Sequence, residues 1–139
     1  MSEILVAEGT RVIIDSDRAI VEARQRGRAL AIQLGFSPGS ATLLATAISE
    51  LARNILQYAG HGEILLQPIE RPTDKGLLVH ANDQGPGIAD VGMAMEDGYS
   101  TAGRLGLGLP GVRRLMDEFE LVSGIGSGTS VRVVKWKST

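Results

Sequence analysis

Glu50 and Asn54 stand four residues apart in the run ATLLATAISELARNILQYAG, where apolar residues recur at helical spacing. On a helix, that separation puts one side chain above the other. A carboxylate and an amide oxygen on one stiff face can accept a proton, orient an attacking hydroxyl, or offer oxygen to Mg²⁺. That ion typically takes one or two protein oxygens together with substrate phosphates and water. Taken alone, the pair fits equally well on a solvated polar stripe with Thr46, Ser49, Arg53 and Gln57. Asn is a poor residue for a helix interior, because its side chain competes for the backbone.

A third polar residue, Asp83, stands directly before a glycine-rich turn, Gly85-Pro86-Gly87. An ionised carboxylate only accepts hydrogen bonds, which suits an exocyclic amine such as that of adenine. Asp83 opens a stretch that ends at Gly111 and holds 8 of the 18 glycines, so the backbone is permissive there. A connection this long inside a compact domain is more often functional than idle. Its closing run, Gly106-Leu107-Gly108-Leu109-Pro110-Gly111, precedes an amphipathic segment. Backbone N–H groups at such a helix start are suited to phosphates. The run is neither a Walker A motif nor a dinucleotide fingerprint, since no Gly-Lys-Ser/Thr follows and no βαβ unit begins there.

The elements that must position these residues can be read along the chain. Ile4 to Ala7 and Arg11 to Ile14 suggest two short strands, with Glu8-Gly9-Thr10 turning between them. Asp15-Ser16-Asp17 offers capping oxygens to a first helix running to Leu34. Its Arg18, Glu22, Arg24, Arg26 and Arg28 form a charged face, more often solvated than a docking surface. Ser37-Pro38 is a start signal for a second helix, which Gly60 stops. Glu63 to Ile69 and Gly76 to Asn82 form a strand pair, with Arg71 to Lys75 as the turn and Pro68 suggesting an edge or a strand end. A third helix is expected from Leu107 or Leu109 to Phe119, then a hairpin of Phe119 to Ser123 and Thr129 to Lys135. This segregated order predicts an α/β two-layer sandwich, a mixed, mainly antiparallel sheet with helices on one face.

At 139 residues, 43% hydrophobic and 22% charged, the whole chain, 1–139, is expected to form one globular domain. A net charge of −2 without a basic run argues against nucleic acid. No apolar run reaches membrane-span length, and the N-terminus lacks the pattern of a signal peptide. The absence of cysteine excludes disulfides and thiol chemistry and favours a cytoplasmic location. His61 and His80 are expected to be structural, since neither lies in a motif.

Together these motifs resemble those of the GHKL ATPase/kinase superfamily. Glu50-x-x-x-Asn54 resembles its N-box, Asp83-Gln84-Gly85-Pro86-Gly87 its first glycine box, Gly106-Leu107-Gly108 its second and Gly126-Ser127-Gly128-Thr129 its last, all in family order. From the second helix to the C-terminus, AISELARNILQYAG, EDGYSTAGRLGLGLPGVRRLMDEFE and SGIGSGTSVRVVKWK are similar to the small serine-protein kinases of bacterial partner-switching systems, the stressosome subgroup above all. No phosphoacceptor histidine helix precedes the N-box, a departure from sensor histidine kinases.

The resemblance implies a Bergerat-type ATP-binding fold, ATP and Mg²⁺ as cofactors, and roles at matching positions. Glu50 would act as general base or orienter of the acceptor hydroxyl, and Asn54 would bind Mg²⁺. Asp83 would hold the adenine amine, with Thr129 supporting through water, and Gly85, Gly87 and Ile88 would line the base pocket. Gly106, Leu107 and Gly108 would take the phosphates. Arg104 would contact the terminal phosphate from a mobile lid. The implied partners are a STAS-domain antagonist as substrate and the regulatory domain of a PP2C-type phosphatase, with a homodimer among the family's options. The alternative in the sister branch is an anti-sigma factor that also phosphorylates its antagonist. A third option is a nucleotide pocket kept as a conformational device, against which the presence of Glu50 argues.

Overall fold

The computed structural model describes residues 4–88, 95 and 108–138. Two long helices, α1 (Asp17–Gln33) and α2 (Pro38–Tyr58), begin where the capping residues predict. The Ser16 side chain accepts from the Ala19 amide at 3.2 Å, and the Ser37 side chain from the Ser40 amide at 3.1 Å, with Pro38 in the first helical turn. These caps satisfy N–H groups that a helix start would leave unpaired.

The strands are β1 (Leu5–Val6), β2 (Thr10–Ile14), β3 (Gly62–Arg71), β4 (Asp74–Asp83), β5 (Glu118–Ser123) and β6 (Thr129–Trp136). They form one sheet in the order β1-β3-β4-β6-β5, with β2 also on β3. Every pairing among the described residues is antiparallel, so the sheet is not mixed. A short helix, α3 (Gly108–Leu115), lies between β4 and β5 in the chain. It is shorter than the sequence suggests, since β5 already begins at Glu118. The buried Lys135 ammonium donates to the Leu115 carbonyl at 3.2 Å, satisfying a helix-end acceptor.

The N-terminal strands differ from the expected turn. Both pair with β3, Val6 opposite Ile69 and Thr10 opposite Leu66. They are therefore consecutive parts of one edge, with one extra residue between them, which is a β-bulge. Pro68 lies opposite this break, in mid-strand rather than at a strand end. Its carbonyl accepts from the Ala7 amide at 2.9 Å, and its missing N–H would point the same way. The following turn is also tighter than expected, with only Pro72 and Thr73 between β3 and β4.

The helices cover one face of the sheet. Val12, Ile14, Ile64, Leu66, Leu77, Val79, Val131 and Val133 point towards Ile20, Leu44, Ile48 and Leu51 in one core. Period-2 alternation then puts Leu78, Val134 and Trp136 on the opposite face. There Trp136 lies across Gly76, where a Cβ would meet the indole at 2.7 Å. The Arg71 guanidinium stacks 3.8 Å from the ring centroid, and the indole N–H donates to Glu118 at 2.9 Å. Trp136, only 2% exposed, thus seals a small second core with Ile69 and Val134. Trp136→Ala is expected to cost about 3–5 kcal/mol, read as a lower urea midpoint at unchanged m-value.

Candidate nucleotide site

The site begins where the core runs out. Gly62, Asp83, Thr129 and Ser123 are register partners across β3, β4, β6 and β5. Opposed residues of an antiparallel sheet share a face. This row continues the helix-facing rows that contain Ile64, Ala81, Val131 and Leu121, so it lies on the helix side at the sheet's end. Apolar residues give way there to a carboxylate and two hydroxyls.

One oxygen of Asp83 is fully engaged. Oδ1 accepts from the Gly85 amide at 2.8 Å and from the Thr129 amide at 3.2 Å. Among the described residues Oδ2 receives no hydrogen bond, so a held carboxylate presents a spare acceptor. The turn that follows is wedged between two neighbours. A Cβ at Gly85 would lie 2.6 Å from the Ala59 Cβ, so the turn rests on the end of α2. Gly87 has φ of +81° and approaches the β5–β6 turn so closely that a Cβ would lie 1.9 Å from the Gly124 carbonyl oxygen. Gly128, with φ of +76°, would place a Cβ 2.2 Å from the Asp83 carbonyl oxygen. Both positions require the left-handed region and leave no room for a side chain.

Ser123 joins the pieces, and the sequence reading did not single it out. Its hydroxyl accepts from the Ile88 amide at 2.8 Å and lies 3.0 Å from the Gly128 carbonyl and 2.9 Å from the Thr129 hydroxyl. The available signal was its alternation with Leu121 at the mouth of the glycine hairpin. The Pro86 carbonyl also accepts from the Gly126 amide at 2.9 Å, tying the Asp83 turn to that hairpin.

The second half of the site is carried by α2. Glu50 is only 3% exposed, and Asn54, one turn on, is half-buried. The half-exposed Arg53 guanidinium lies 3.6 Å from Glu50 Oε1. A buried carboxylate is costly unless paired, and Arg53 supplies a charged partner from the polar stripe of the same helix. At 1.5 Å per residue, Glu50 lies about 13 Å along the axis from Ala59, where the Asp83 turn rests. The Asp83 turn and the Glu50 side chain are therefore set apart along α2. Ser49 on the same helix has a buried hydroxyl with no hydrogen-bond partner among the described residues.

The structure thus brings together Asp83, Gly85, Gly87, Ile88 and Thr129, and sets Glu50 and Asn54 on one helix beside them. Gly108 begins α3, whose Val112 enters the main core. Arg104, Gly106 and Leu107 lie outside the described residues. His80 lies on the open face of the sheet, with its Nε2 2.7 Å from the Ser130 hydroxyl. Burial, and then Arg132, hold its pKa below the ordinary histidine value. No set of three or more His, Cys, Asp or Glu among the described residues could hold a metal by itself. The Asn54 amide oxygen beside a carboxylate fits Mg²⁺ of the kind that arrives with phosphates. A surface cavity of about 430 Å³ at the β3–β4 hairpin, lined by Arg71, Asp74, Lys75 and Lys137 among others, shares no residue with this site. No helix of the described residues is long and apolar enough to cross a membrane.

Comparison with known proteins identifies the family. Residues 15–135 match the family described as histidine kinase-like ATPase domain. The chain is 55% identical to the serine/threonine-protein kinase RsbT of Bacillus subtilis over 117 residues, 84% of this chain and 88% of that protein. It is 33% identical to the anti-sigma F factor of Caldanaerobacter subterraneus subsp. tengcongensis over 97 residues, 67% of this chain and 68% of that one. Among solved structures, that of the RsbU and RsbW domains of Rv1364c from Mycobacterium tuberculosis superposes with a TM-score of 0.62 at 14% identity, covering 93% of this chain and 32% of that one. That likeness speaks for the fold alone. With the motifs in order, the carboxylate row at the sheet end and the family match over most of its length, the chain belongs to the histidine kinase-like ATPases of the GHKL superfamily.

Proposed function

We propose that this protein is an ATP-dependent serine/threonine-protein kinase that phosphorylates a STAS-domain antagonist. Once released, it binds the regulatory domain of a PP2C-type phosphatase and activates it. The observation that carries this reading is the buried Glu50 beside Asn54 on the helix that also supports the Asp83 turn. The 55% identity to a serine/threonine-protein kinase favours it over the anti-sigma factor reading, for which the relative is 33% identical.

In this mechanism Asp83 Oδ2 accepts from the adenine amine, while Oδ1 stays fixed by two backbone amides. The Gly87 and Gly128 turns let the base lie against the backbone. Asn54 would hold Mg²⁺, which would offset phosphate charge when bound. By the family resemblance, Gly106, Leu107 and Gly108 would serve the phosphates and Arg104 would stabilise charge on the transferring phosphoryl group. The acceptor hydroxyl enters near Glu50, which orients it and takes its proton. The new oxygen–phosphorus bond forms as the bond to ADP breaks, a reaction driven mainly by positioning and electrostatics. The added phosphate charge then repels the docked surfaces and frees the kinase.

The direct test is transfer of labelled phosphate from ATP to a STAS-domain protein encoded beside this chain. Transfer to a serine or threonine supports the proposal. ATP binding without transfer, or co-purification with a sigma factor in place of a STAS protein, overturns it. The base contact is tested separately. Asn at position 83 keeps an oxygen for the Gly85 and Thr129 amides but can turn an N–H₂ donor towards the adenine amine. Asp83→Asn is expected to weaken ATP binding by about 10- to 100-fold, the range for a hydrogen bond to a charged group. Calorimetry at equal melting temperature checks it, and an unchanged affinity removes Asp83 from the base pocket.

A further inference from the structure

We infer that Lys135 is a positioning residue for the phosphate end of the nucleotide site, because it fixes the foot of α3, the helix whose start would meet the phosphates. The inference rests on the proposed nucleotide site and deepens it. Lys135 lies opposite Leu77, on the helix-facing side of β6. It is only 7% exposed. Among the described residues no carboxylate pairs with its ammonium, and the Leu115 carbonyl at 3.2 Å is its hydrogen-bond acceptor. Leu115 ends α3, and a helix C-terminus carries partial negative charge. The buried cation is therefore offset by the helix end itself. An apolar side chain of similar length would fill the same space at a lower desolvation cost, and buried charges are better attested as setting geometry than as adding stability.

The neighbours of Lys135 grip the same foot. The Asp117 amide donates to the Val134 carbonyl at 2.9 Å, and the Asp117 carboxylate accepts from the Trp136 amide at 2.7 Å. Three consecutive residues of β6 thus hold Leu115 and Asp117, on either side of Met116, by contacts with fixed directions. The rest of the hold on α3 is apolar: Val112 and Met116 enter the main core, and Leu109 and Leu115 pack against it. Apolar contact is non-directional, so it presses the helix down without fixing how far it slides or turns. A helix of eight residues is also too short to be stable alone. The directional contacts from β6 therefore set its axial position. α3 is about 12 Å long, so a shift at Leu115 is carried to Gly108, where the helix begins with φ of +63°. The base row lies elsewhere, since Lys135 is six positions beyond Thr129 on β6, about 20 Å along the strand. A change at Lys135 can then move the phosphate end and leave the base pocket in place.

The experiment measures ATP and adenosine affinities by calorimetry, with Mg²⁺ present, for the wild type and for Lys135→Met, Lys135→Arg and Asp83→Asn, with melting temperatures alongside. The wild type is expected to prefer ATP. Lys135→Met keeps the apolar stem and removes the ammonium. It should reduce the ATP-to-adenosine affinity ratio by about 3- to 10-fold, part of the worth of a hydrogen bond to a charged group, with adenosine affinity unchanged. Lys135→Arg, which keeps a cation, should retain most of the ratio. A ratio unchanged in Lys135→Met overturns the inference, whatever happens to the melting temperature, because a merely structural role would lower stability alone. Equal losses for the two ligands also overturn it, since the damage is then not confined to the phosphate end. A ratio that falls as far in Lys135→Arg does the same. Asp83→Asn is expected to weaken both ligands alike. If the wild type binds adenosine as tightly as ATP, the phosphate site falls and the inference with it. If Asp83→Asn leaves both ligands unchanged, the base pocket falls, while the ratio in Lys135→Met still decides the role of the α3 foot.

Discussion

Glu50→Gln is expected to lower phosphate transfer by about 10²–10⁴-fold, the usual worth of a positioned proton acceptor, while ATP affinity stays near that of the wild type. Gln is nearly isosteric and keeps an oxygen for the Arg53 guanidinium, 3.6 Å away in the wild type. Arg53 is 46% exposed on its side chain, so losing its charged partner leaves it solvated and costs little stability. The amide cannot take the acceptor proton, and that is the change the assay isolates. Single-turnover transfer from labelled ATP, beside ATP titration by calorimetry, separates chemistry from binding. Equal transfer rates in the two proteins would leave Glu50 as a buried helix residue with no part in the reaction. A parallel loss of ATP affinity would place it in binding instead.

The second large effect is expected at Gly128. Its φ of +76° lies in the left-handed region, and a Cβ there would sit 2.2 Å from the Asp83 carbonyl oxygen. That oxygen belongs to β4, paired with β6 through Asp83 and Thr129, so it cannot retreat without opening the register. Left-handed backbone costs a non-glycine residue about 1–2 kcal/mol, and overpacking typically adds about 1–3 kcal/mol. Gly128→Ala should therefore lower the melting temperature by on the order of 10 °C. ATP affinity should fall as well, because the displaced strand carries the Thr129 amide that fixes Asp83. Gly126→Ala is the matched control. Its φ is +78°, but no atom lies within 4 Å of the added Cβ. It should show the backbone cost alone and keep ATP affinity. If both variants behave alike, the close packing at Gly128 does not hold the pocket.

Much of the frame was legible because it rests on local chemistry. Ser16, and Ser37 with Pro38, mark helix starts through oxygens and a fixed φ that act within three residues. The apolar spacing of α2 and the alternation of β4 and β6 identify their buried faces without a partner strand in view. Asp83, Gly85 and Gly87 were legible as a carboxylate before a glycine-rich turn, of which Gly87 has the positive φ, while Thr129 joined them through the family resemblance. Helix periodicity alone put Glu50 and Asn54 side by side.

What the sequence could not carry was pairing across distance. Whether residues 4–14 turn back on themselves or run on along β3 depends on which carbonyl the Ala7 amide meets, and that carbonyl belongs to Pro68. The length of α3 was misjudged because Phe119 continues an apolar spacing that serves helix and strand alike, while the Lys135 contact with Leu115 comes from twenty residues away. Ser123 was passed over because its alternation with Leu121 is a weak signal until β6 puts Thr129 beside it.

By itself, then, the sequence determined the element order, the capped helices, the paired Glu50 and Asn54, and the glycine turns around Asp83. These follow from backbone preferences and periodicities that each segment carries alone. Only the tertiary structure decided that Gly62, Asp83, Thr129 and Ser123 form one row, that one Asp83 oxygen is held by two backbone amides, and that this row rests against the end of the helix bearing Glu50. Those facts depend on strand register, and register is fixed by burying one face of every strand at once, which no single segment can do.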